Sequence, residues 1–199
     1  MENAEQNDFQ FVDPRYNDSF TAYGILINRL GVCSGYAAAY KLIADAVGLP
    51  SIVVTGFLEG FLPHAWNRVY IDGHWHTIDV TNNANPHLLN AFLHLSDDVA
   101  SIMLVEDQQF LIDSYLRYYR SLDSRNEYYY MTNRFYSINA IAEALARDLR
   151  ETGNTTLRTD ATLCDAEFER IAIAVLDILR IDTVFGMHML GVISLSSSR

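Results

Sequence analysis

Apolar residues recur at helical spacing directly after a cysteine in the first quarter of the chain. Over Ser34–Val47 they fall at the three- and four-residue intervals that line one face of a helix. The members of this face are Tyr36, Ala37, Tyr40, Ile43, Ala44 and Val47. Gly48 and Pro50 follow and favour a helix end. The pattern predicts a helix over Ser34–Val47 with Cys33 immediately before it.

β-Branched and alternating residues follow the predicted helix. Ser51–Phe57 is rich in β-branched residues, which is typical of a strand. His64–Ile71 and His74–Val80 are separated only by Asp72-Gly73, and an Asp-Gly pair between two such segments is a strong hairpin signal. We therefore expect an antiparallel sheet beside the helix.

The remaining part of the chain predicts further helices and strands. Glu127–Arg134 and Thr155–Thr162 have the composition of strands. Ile138–Arg150 and Asp165–Leu179 carry apolar stripes at helical spacing, and Asp165 is expected to be the N-cap of the second helix. This alternation predicts a small α+β appendage.

Length and composition limit the domain organisation and the classes of partner. The chain has 199 residues, half of them hydrophobic, enough for one domain and a small appendage. We expect a polar N-terminal arm over residues 1–18, a core over 19–110 and the α+β appendage over 111–199. The net charge of -11 disfavours nucleic acid and anionic lipid, because both require a basic surface. We also expect no membrane span and, because Met1–Asp8 is polar and acidic, no signal peptide.

Cys33, His64 and Asp79 supply the three side-chain types of a thiol-based active site. A thiol becomes a strong nucleophile when a base accepts its proton, and the base is oriented by an acceptor on its other side. A two-residue turn at Asp72-Gly73 fixes the hairpin register, which puts Trp66 opposite Asp79 and His64 diagonally from Asp79 on the same face. We therefore expect the His64 and Asp79 side chains to be within reach of each other.

Cys33 directly precedes the predicted helix, whose free N–H groups and dipole favour an anion. That position lowers the pKa of a thiol and increases its reactivity. Gly35, in the first turn, is expected to let a substrate chain approach. The other cysteine, Cys164, lies in a different context, and we expect both to be free thiols. The alternative for Cys33 is a small side chain that fills a tight packing site.

His74 and His76 form a His-x-His pair, an arrangement that can bind zinc. The hairpin register places them on the face opposite His64 and Asp79, so we expect no metal and no cofactor at the site. A zinc hydrolase with Cys33, His64 and Asp79 as ligands remains an alternative.

Four motifs of this chain together resemble the transglutaminase-like superfamily. They are Gly31-Val32-Cys33-Ser34-Gly35-Tyr36-Ala37, Gly48-Leu49-Pro50, His64-Ala65-Trp66-Asn67 and Asp72 through Thr81. The resemblance covers residues 19–83 and implies an α+β, papain-like core in which a helix-borne cysteine packs on an antiparallel sheet. It also implies Cys33 as the nucleophile, His64 as general base and acid, and Asp79 as the acceptor that orients His64.

Further residues are candidates for shaping the site. An oxyanion hole would use the Cys33 N–H and a side chain from upstream of it, for which Tyr23 and Asn28 are candidates. Trp66 is expected either to shield the triad from water or to pack in the core. Members of the superfamily commonly have a tryptophan and an acidic residue after the Asp-Val-Thr segment, where this chain has Asn82-Asn83.

The resemblance implies acyl transfer on peptide or protein amides through a thioester on Cys33. Water as the second acceptor gives hydrolysis and a primary amine gives cross-linking. Bacterial members of the superfamily are often hydrolases, so we expect hydrolysis first. The expected substrate is a peptide or protein, including cell-wall peptide, and the resemblance favours an extracytoplasmic or cell-envelope location. The alternative is a non-catalytic peptide- or glycan-binding module, favoured by tyrosines clustered over residues 115–130. The sequence leaves the oligomeric state open.

Overall fold

The computed structural model describes residues 14–107, 116–121, 125 and 127–197. The chain divides into two compact units, residues 1–82 with 92–123 and residues 83–91 with 124–199. The sequence placed the boundary between the core and the appendage after residue 110, whereas the first unit continues to residue 123. Of the polar arm expected over residues 1–18, residues 1–13 lie outside the described part, while Pro14–Asn17 and Asp18–Phe20 are short helices.

The first unit contains one long helix and a four-stranded sheet. Its helices and strands in chain order are α1 (Pro14–Asn17), α2 (Cys33–Ala46), β1 (Ser51–Leu58), β2 (Leu62–Ile71), β3 (His74–Ile78), α3 (Val80–Asn83), α4 (Asp97–Ala100) and β4 (Leu104–Glu106). The first of the two segments of this unit, residues 1–82, ends within α3. A π-helical turn at Gly24–Asn28 precedes α2, and a 3-10 turn occupies Leu116–Tyr119. The strand order is β3-β2-β1-β4 and every pairing is antiparallel.

The predicted hairpin is confirmed in its position and its register. Ile71 pairs with His74, and the ladder continues to Asn67 opposite Ile78. Asp72 and Gly73 have φ values of 51° and 86°, the left-handed conformation that a type I′ two-residue turn requires. The turn therefore fixes which side chains of β2 and β3 share a face.

Helix α2 is confirmed, but only Ala37 and Ala44 of the predicted stripe are buried. The helix buries its small residues Gly35, Ala37, Ala39 and Ala44, whereas Ile43 and Val47 are 52% and 71% exposed. Small side chains let the helix lie close to β1 and β2, where the buried Asn67 amide donates to Ala37 O at 3.0 Å and to Ile52 O at 3.3 Å. The close approach of α2 to the sheet therefore decides which residues are buried, even though other positions of the helix are more hydrophobic.

Gly35 has a packing role in the structure, and the expectation that it admits a substrate chain is wrong. A Cβ built on Gly35 would lie 2.5 Å from Ser19 O and 3.1 Å from Thr21 O, so the protein's own backbone occupies that space. Ser19 O also accepts the Val32 N–H at 3.0 Å. The Ser19–Thr21 segment thereby braces the N-terminal end of α2.

The second unit is an α+β unit with its own core. Its helices and strands are α5 (Tyr128–Met131), β5 (Phe135–Tyr136), α6 (Ile141–Thr152), β6 (Asn154–Thr159), α7 (Asp165–Leu179), β7 (Phe185–Met189) and β8 (Val192–Ser196). The strand order is β5-β6-β8-β7, with β5 parallel to β6 and the other pairs antiparallel. Apolar residues of α6, α7, β6 and β8 form one buried cluster, to which the two helices contribute the stripes that their periodicity predicted.

Two sequence predictions in this unit are wrong. Glu127–Arg134 contains helix α5 rather than a strand, because the buried Glu127 before it pairs with Arg158 and the Tyr129 hydroxyl donates to Leu89 O. Those distant contacts outweigh the local β preference of consecutive tyrosines. The N-cap of α7 is Cys164 rather than Asp165, and the Cys164 N–H donates to the Glu167 side chain at 3.0 Å. Among the described residues, no helix is both long and apolar enough to cross a membrane.

Candidate active site

Cys33 is the first residue of α2, at the end whose backbone N–H groups have no helical partner. Val32, the N-cap, has an extended backbone and supplies no side-chain cap. Cys33 is a partly exposed free thiol, and Cys164 in the second unit is an exposed free thiol. The position allows the helix end to stabilise a thiolate on Cys33.

His64 and Asp79 are in direct contact on one face of the hairpin. His64 Nε2 and Asp79 Oδ2 are 2.7 Å apart, and the two residues are 8% and 0% exposed. The regular β2–β3 ladder has already ended at the Asn67–Ile78 pair. The Asp79 N–H donates instead to Phe92 O at 3.1 Å, which holds the carboxylate where the chain leaves β3.

His64 connects the carboxylate to the thiol. Because its Nε2 faces Asp79, the nitrogen left for the hydrogen bond with Cys33 is Nδ1. That hydrogen bond is the main cause that lowers the pKa of Cys33; burial opposes it, and the backbone N–H of Ala65 adds to it. Burial also disfavours charge on His64, but hydrogen bonds with Asp79 and Cys33 raise the pKa of His64 to about 9. The lowered pKa of Cys33 and the raised pKa of His64 both favour a thiolate–imidazolium pair near neutral pH.

Asn82 completes the surroundings of Asp79, and sequence reasoning did not assign it a role. Its side-chain Nδ2 donates to Asp79 Oδ2 at 2.6 Å, and its backbone N–H donates to Asp79 Oδ1 at 3.2 Å. Nδ2 also lies 3.4 Å from His64 Nε2. The available signal was the spacing: an aspartate at a strand end with a donor three residues later has the geometry of a helix N-cap and its N3 residue.

Trp66 is buried and lies beside His64, an arrangement compatible with both roles proposed for it. It is 1% exposed, and its ring stacks on the His64 imidazole with centroids 6.1 Å apart and planes inclined by 25°. Burial places Trp66 in the core, and the same ring covers one side of His64. The tryptophan therefore contributes to the low solvent access of the histidine.

The two oxyanion-hole candidates have different surroundings. Tyr23 is 56% exposed, and the Asn28 amide donates to the Asp18 carboxylate at 3.2 Å. Asn28 is therefore engaged by another side chain, and the oxyanion-hole assignment of both residues stays a prediction.

His74 and His76 lie on the face of the hairpin opposite His64 and Asp79. His74 is exposed, whereas His76 is buried and its ring centroid lies 4.9 Å from that of His94. Within the described ranges, no group of three or more His, Cys, Asp and Glu side chains is arranged to hold a metal ion.

Residues 3–80 match the family model of the transglutaminase-like superfamily. That range includes Cys33, His64 and Asp79 and ends before Asn82. This stretch of the chain, which we call the transglutaminase-like core, is similar to that superfamily. The helix-borne cysteine and the antiparallel sheet of the first unit are the elements of that α+β core.

Curated relatives are similar to the transglutaminase-like core over short stretches. Kyphoscoliosis peptidase of Mus musculus is 28% identical over 85 residues, which is 37% of this chain and 13% of the relative. Kyphoscoliosis peptidase of Homo sapiens is 31% identical over 74 residues, 32% of this chain and 11% of the relative. A solved structure described as "Crystal structure of a TGase" is 29% identical, covers 43% of this chain and 22% of that chain, and has a TM-score of 0.35. The chain thus spans 11–13% of the curated relatives' length.

Proposed function

We propose that the transglutaminase-like core is a thiol-dependent acyl-transfer enzyme that acts on peptide or protein amides. The observation that carries the proposal is the linked arrangement of Cys33, His64 and Asp79, in which the buried His64–Asp79 contact is 2.7 Å. The lowered pKa of Cys33 and the raised pKa of His64 match the charge states that such chemistry needs. The name of the two curated relatives, a peptidase, supports amide hydrolysis.

The proposed reaction begins with the Cys33 thiolate, whose proton resides on His64. The sulfur attacks the carbonyl carbon of an amide, and the carbonyl electron pair moves to oxygen, where the Cys33 N–H is a natural donor at the helix start. When the tetrahedral intermediate collapses, the C–N bond breaks and His64 gives its proton to the leaving amine. The product is a thioester on Cys33 and a free amine.

The second half of the reaction resolves the thioester. His64, now neutral, accepts a proton from water as the water oxygen attacks the thioester carbon. The C–S bond breaks, a carboxylic acid leaves, and the thiolate–imidazolium pair is restored. A primary amine in place of water would yield a new amide, so both hydrolysis and cross-linking follow from one acyl-enzyme. We propose hydrolysis as the first outcome.

Alkylation provides the first test, because the protein contains a matched internal control. Iodoacetamide should label Cys33 much faster than the exposed Cys164 at pH 6–7, where an ordinary thiol is protonated. Peptide mass spectrometry resolves the two sites. His64→Ala should remove the advantage of Cys33, while Cys164→Ala should leave Cys33 labelling unchanged. Equal, slow labelling of both cysteines would favour a non-catalytic binding module.

Turnover is tested with a peptide library derived from a cell lysate, with and without a dansylated primary amine. New peptide termini indicate hydrolysis, and incorporation of the dansyl group indicates transamidation. Both products should be absent with Cys33→Ala, which is expected to fold normally because a small, partly exposed side chain is replaced by a smaller one. Turnover that survives in Cys33→Ala would refute Cys33 as the nucleophile.

A further inference from the structure

Asn82 holds both oxygens of the Asp79 carboxylate, one through its backbone and one through its side chain. The backbone N–H reaches Oδ1 at 3.2 Å and Nδ2 reaches Oδ2 at 2.6 Å. Because α3 begins at Val80, Asp79 occupies its N-cap position and Asn82 its N3 position. In an ordinary capping box the N3 side chain would return to the N-cap N–H, but here Phe92 O accepts that N–H. The Asn82 amide is thus free to bind the carboxylate.

The donors around Asp79 fix the orientation of two side chains. Oδ2 accepts from both His64 Nε2 and Asn82 Nδ2, which lie 2.7 Å and 2.6 Å from it. These two nitrogens are 3.4 Å apart, as neighbouring donors to one oxygen would be. A carboxylate only accepts, so His64 carries a proton on Nε2 and Asn82 presents its NH₂ group rather than its carbonyl. This tautomer leaves His64 Nδ1 for Cys33.

We propose that Asn82 is a positioning residue that sets the proton affinity of His64 by sharing Asp79 Oδ2 with it. The expected effect on catalysis rests on the proposed acyl-transfer function, whereas the expected effect on the pKa of His64 does not. A carboxylate oxygen that donates electron density to two donors gives less to each. The amide therefore holds the Asp79 carboxylate in its orientation and weakens its attraction for the imidazolium proton. The titratable groups that act on His64 are Asp79 after β3 and Cys33 on α2.

Loss of the amide should make His64 a stronger base and a weaker acid. With the Asn82 donor removed, more of the charge on Asp79 Oδ2 acts on the imidazolium, so the pKa of His64 should rise. The thiolate–imidazolium pair would then persist to higher pH, because His64 would lose its proton less readily. Protonation of a leaving amine by His64 would become slower, because a weaker acid transfers its proton less readily. The pH range of the ion pair should therefore widen at its alkaline end while amide turnover falls.

The variant that tests the inference is Asn82→Leu, which keeps the approximate shape of the side chain and removes its donors. Asn82→Ala is the second variant if the leucine does not fold, and both retain the backbone N–H bond to Oδ1. Asn85→Leu is the matched control, because the Asn85 side chain accepts the His87 N–H instead. Urea unfolding of each variant checks that the fold is retained.

The first measurement is an NMR titration of the His64 imidazole in a Cys33→Ala background, which contains no nucleophile and requires no turnover. We expect Asn82→Leu to raise the pKa of His64 by roughly 0.5–1 pH unit, and Asn85→Leu to leave it in place. An unchanged or lowered pKa in a folded Asn82 variant would overturn the inference.

The second measurement follows Cys33 itself with the cysteine present. In Asn82→Leu the alkaline step of the iodoacetamide alkylation profile, at which His64 loses its proton, should move to higher pH, while kcat for an amide falls up to about tenfold with little change in KM. If the pKa of His64 rises in Asn82→Leu but neither the wild type nor the variant turns over an amide, the positioning role stands and the proposed function fails. If Cys33-dependent turnover is present but the pKa does not move, the positioning role fails and the proposed function stands.

Discussion

Lowering the pH from 7 to 4.5 should destabilise the first unit through two histidines beside β3. His76 is buried on β3, and its ring lies 4.9 Å from the ring of His94. The Nδ1 atoms of both are buried and have no hydrogen-bond partner in the described part of the chain. His76 donates its other ring N–H to Ile71 O, so its Nδ1 is an unprotonated lone pair. Protonation of either ring would bury a charge without an acceptor.

The size of the effect follows from the pKa of His94. Burial, together with the neighbouring His76, lowers the pKa of His94 from 6.5 to about 4, and burial also lowers the pKa of His76. Exposed Asp72 opposes both shifts, whereas His74 adds to that of His76. The unfolded chain therefore binds protons that the folded chain does not. The contribution of neutral His94 to the free energy of unfolding is at its maximum above about pH 6.5 and declines as the pH falls toward 4. At about 1.36 kcal/mol per pH unit, the loss reaches about 3 kcal/mol.

Urea unfolding at pH 7.0, 5.5 and 4.5 measures this loss in the wild type and in His94→Asn. Asparagine is neutral and tolerates the left-handed backbone of residue 94, where φ is 56°. We expect the variant to lose about 2–3 kcal/mol less than the wild type between pH 7.0 and 4.5. His87→Asn, which removes an exposed histidine, should follow the wild type. Parallel losses in the wild type and His94→Asn would refute the reasoning.

The effect should reach Asp79 through the backbone. The segment that contains His94 pairs with the outer edge of β3, with Thr77 and Leu95 exchanging hydrogen bonds of 3.0 Å and 2.8 Å. Phe92 O, at the start of the same segment, accepts the Asp79 N–H. Hydrogen-exchange protection factors of the Thr77 and Asp79 amides should therefore fall at pH 4.5 in the wild type and fall less in His94→Asn.

Three further predictions concern packing, a buried ion pair and the orienting carboxylate. Gly35→Ala should reduce the free energy of unfolding by about 1–3 kcal/mol, measured in urea, because its Cβ would lie 2.5 Å from Ser19 O. Glu127→Gln should cost about 3 kcal/mol in the same assay, since it leaves the buried Arg158 guanidinium, now 2.7 Å from Glu127 Oε2, without its counter-charge. Asp79→Asn should lower kcat for an amide far more than it changes KM, because the Asp79 carboxylate contacts His64 and is 0% exposed.

The sequence predicted the elements whose signals are local. The Asp72-Gly73 turn, the strands on either side of it and the amphipathic helix α6 follow from two-residue and three- to four-residue patterns. Burial along α2 followed the predicted stripe only in part, since Ala37 and Ala44 are buried whereas Ile43 and Val47 are exposed. Helix α5 was also missed. Its conformation depends on contacts with residues about 30 and 40 positions away, and a local sequence pattern contains no information on such contacts.

The candidate site shows the same division between local and non-local signals. The turn at Asp72-Gly73 sets the face that His64 and Asp79 share, so their proximity could be predicted from the register alone. The ladder ends before either residue is reached, and its register cannot hold the carboxylate at 2.7 Å from the imidazole. The carboxylate is held in place by Phe92, whose carbonyl accepts the Asp79 N–H, and by Asn82, which donates to both carboxylate oxygens. Asn82 stands where the family pattern has a tryptophan, and a single turn of helix is too short to show periodicity. A departure from a motif can therefore mark a residue that forms part of the site, and its role becomes visible only when the donors and acceptors around Asp79 are accounted for one by one.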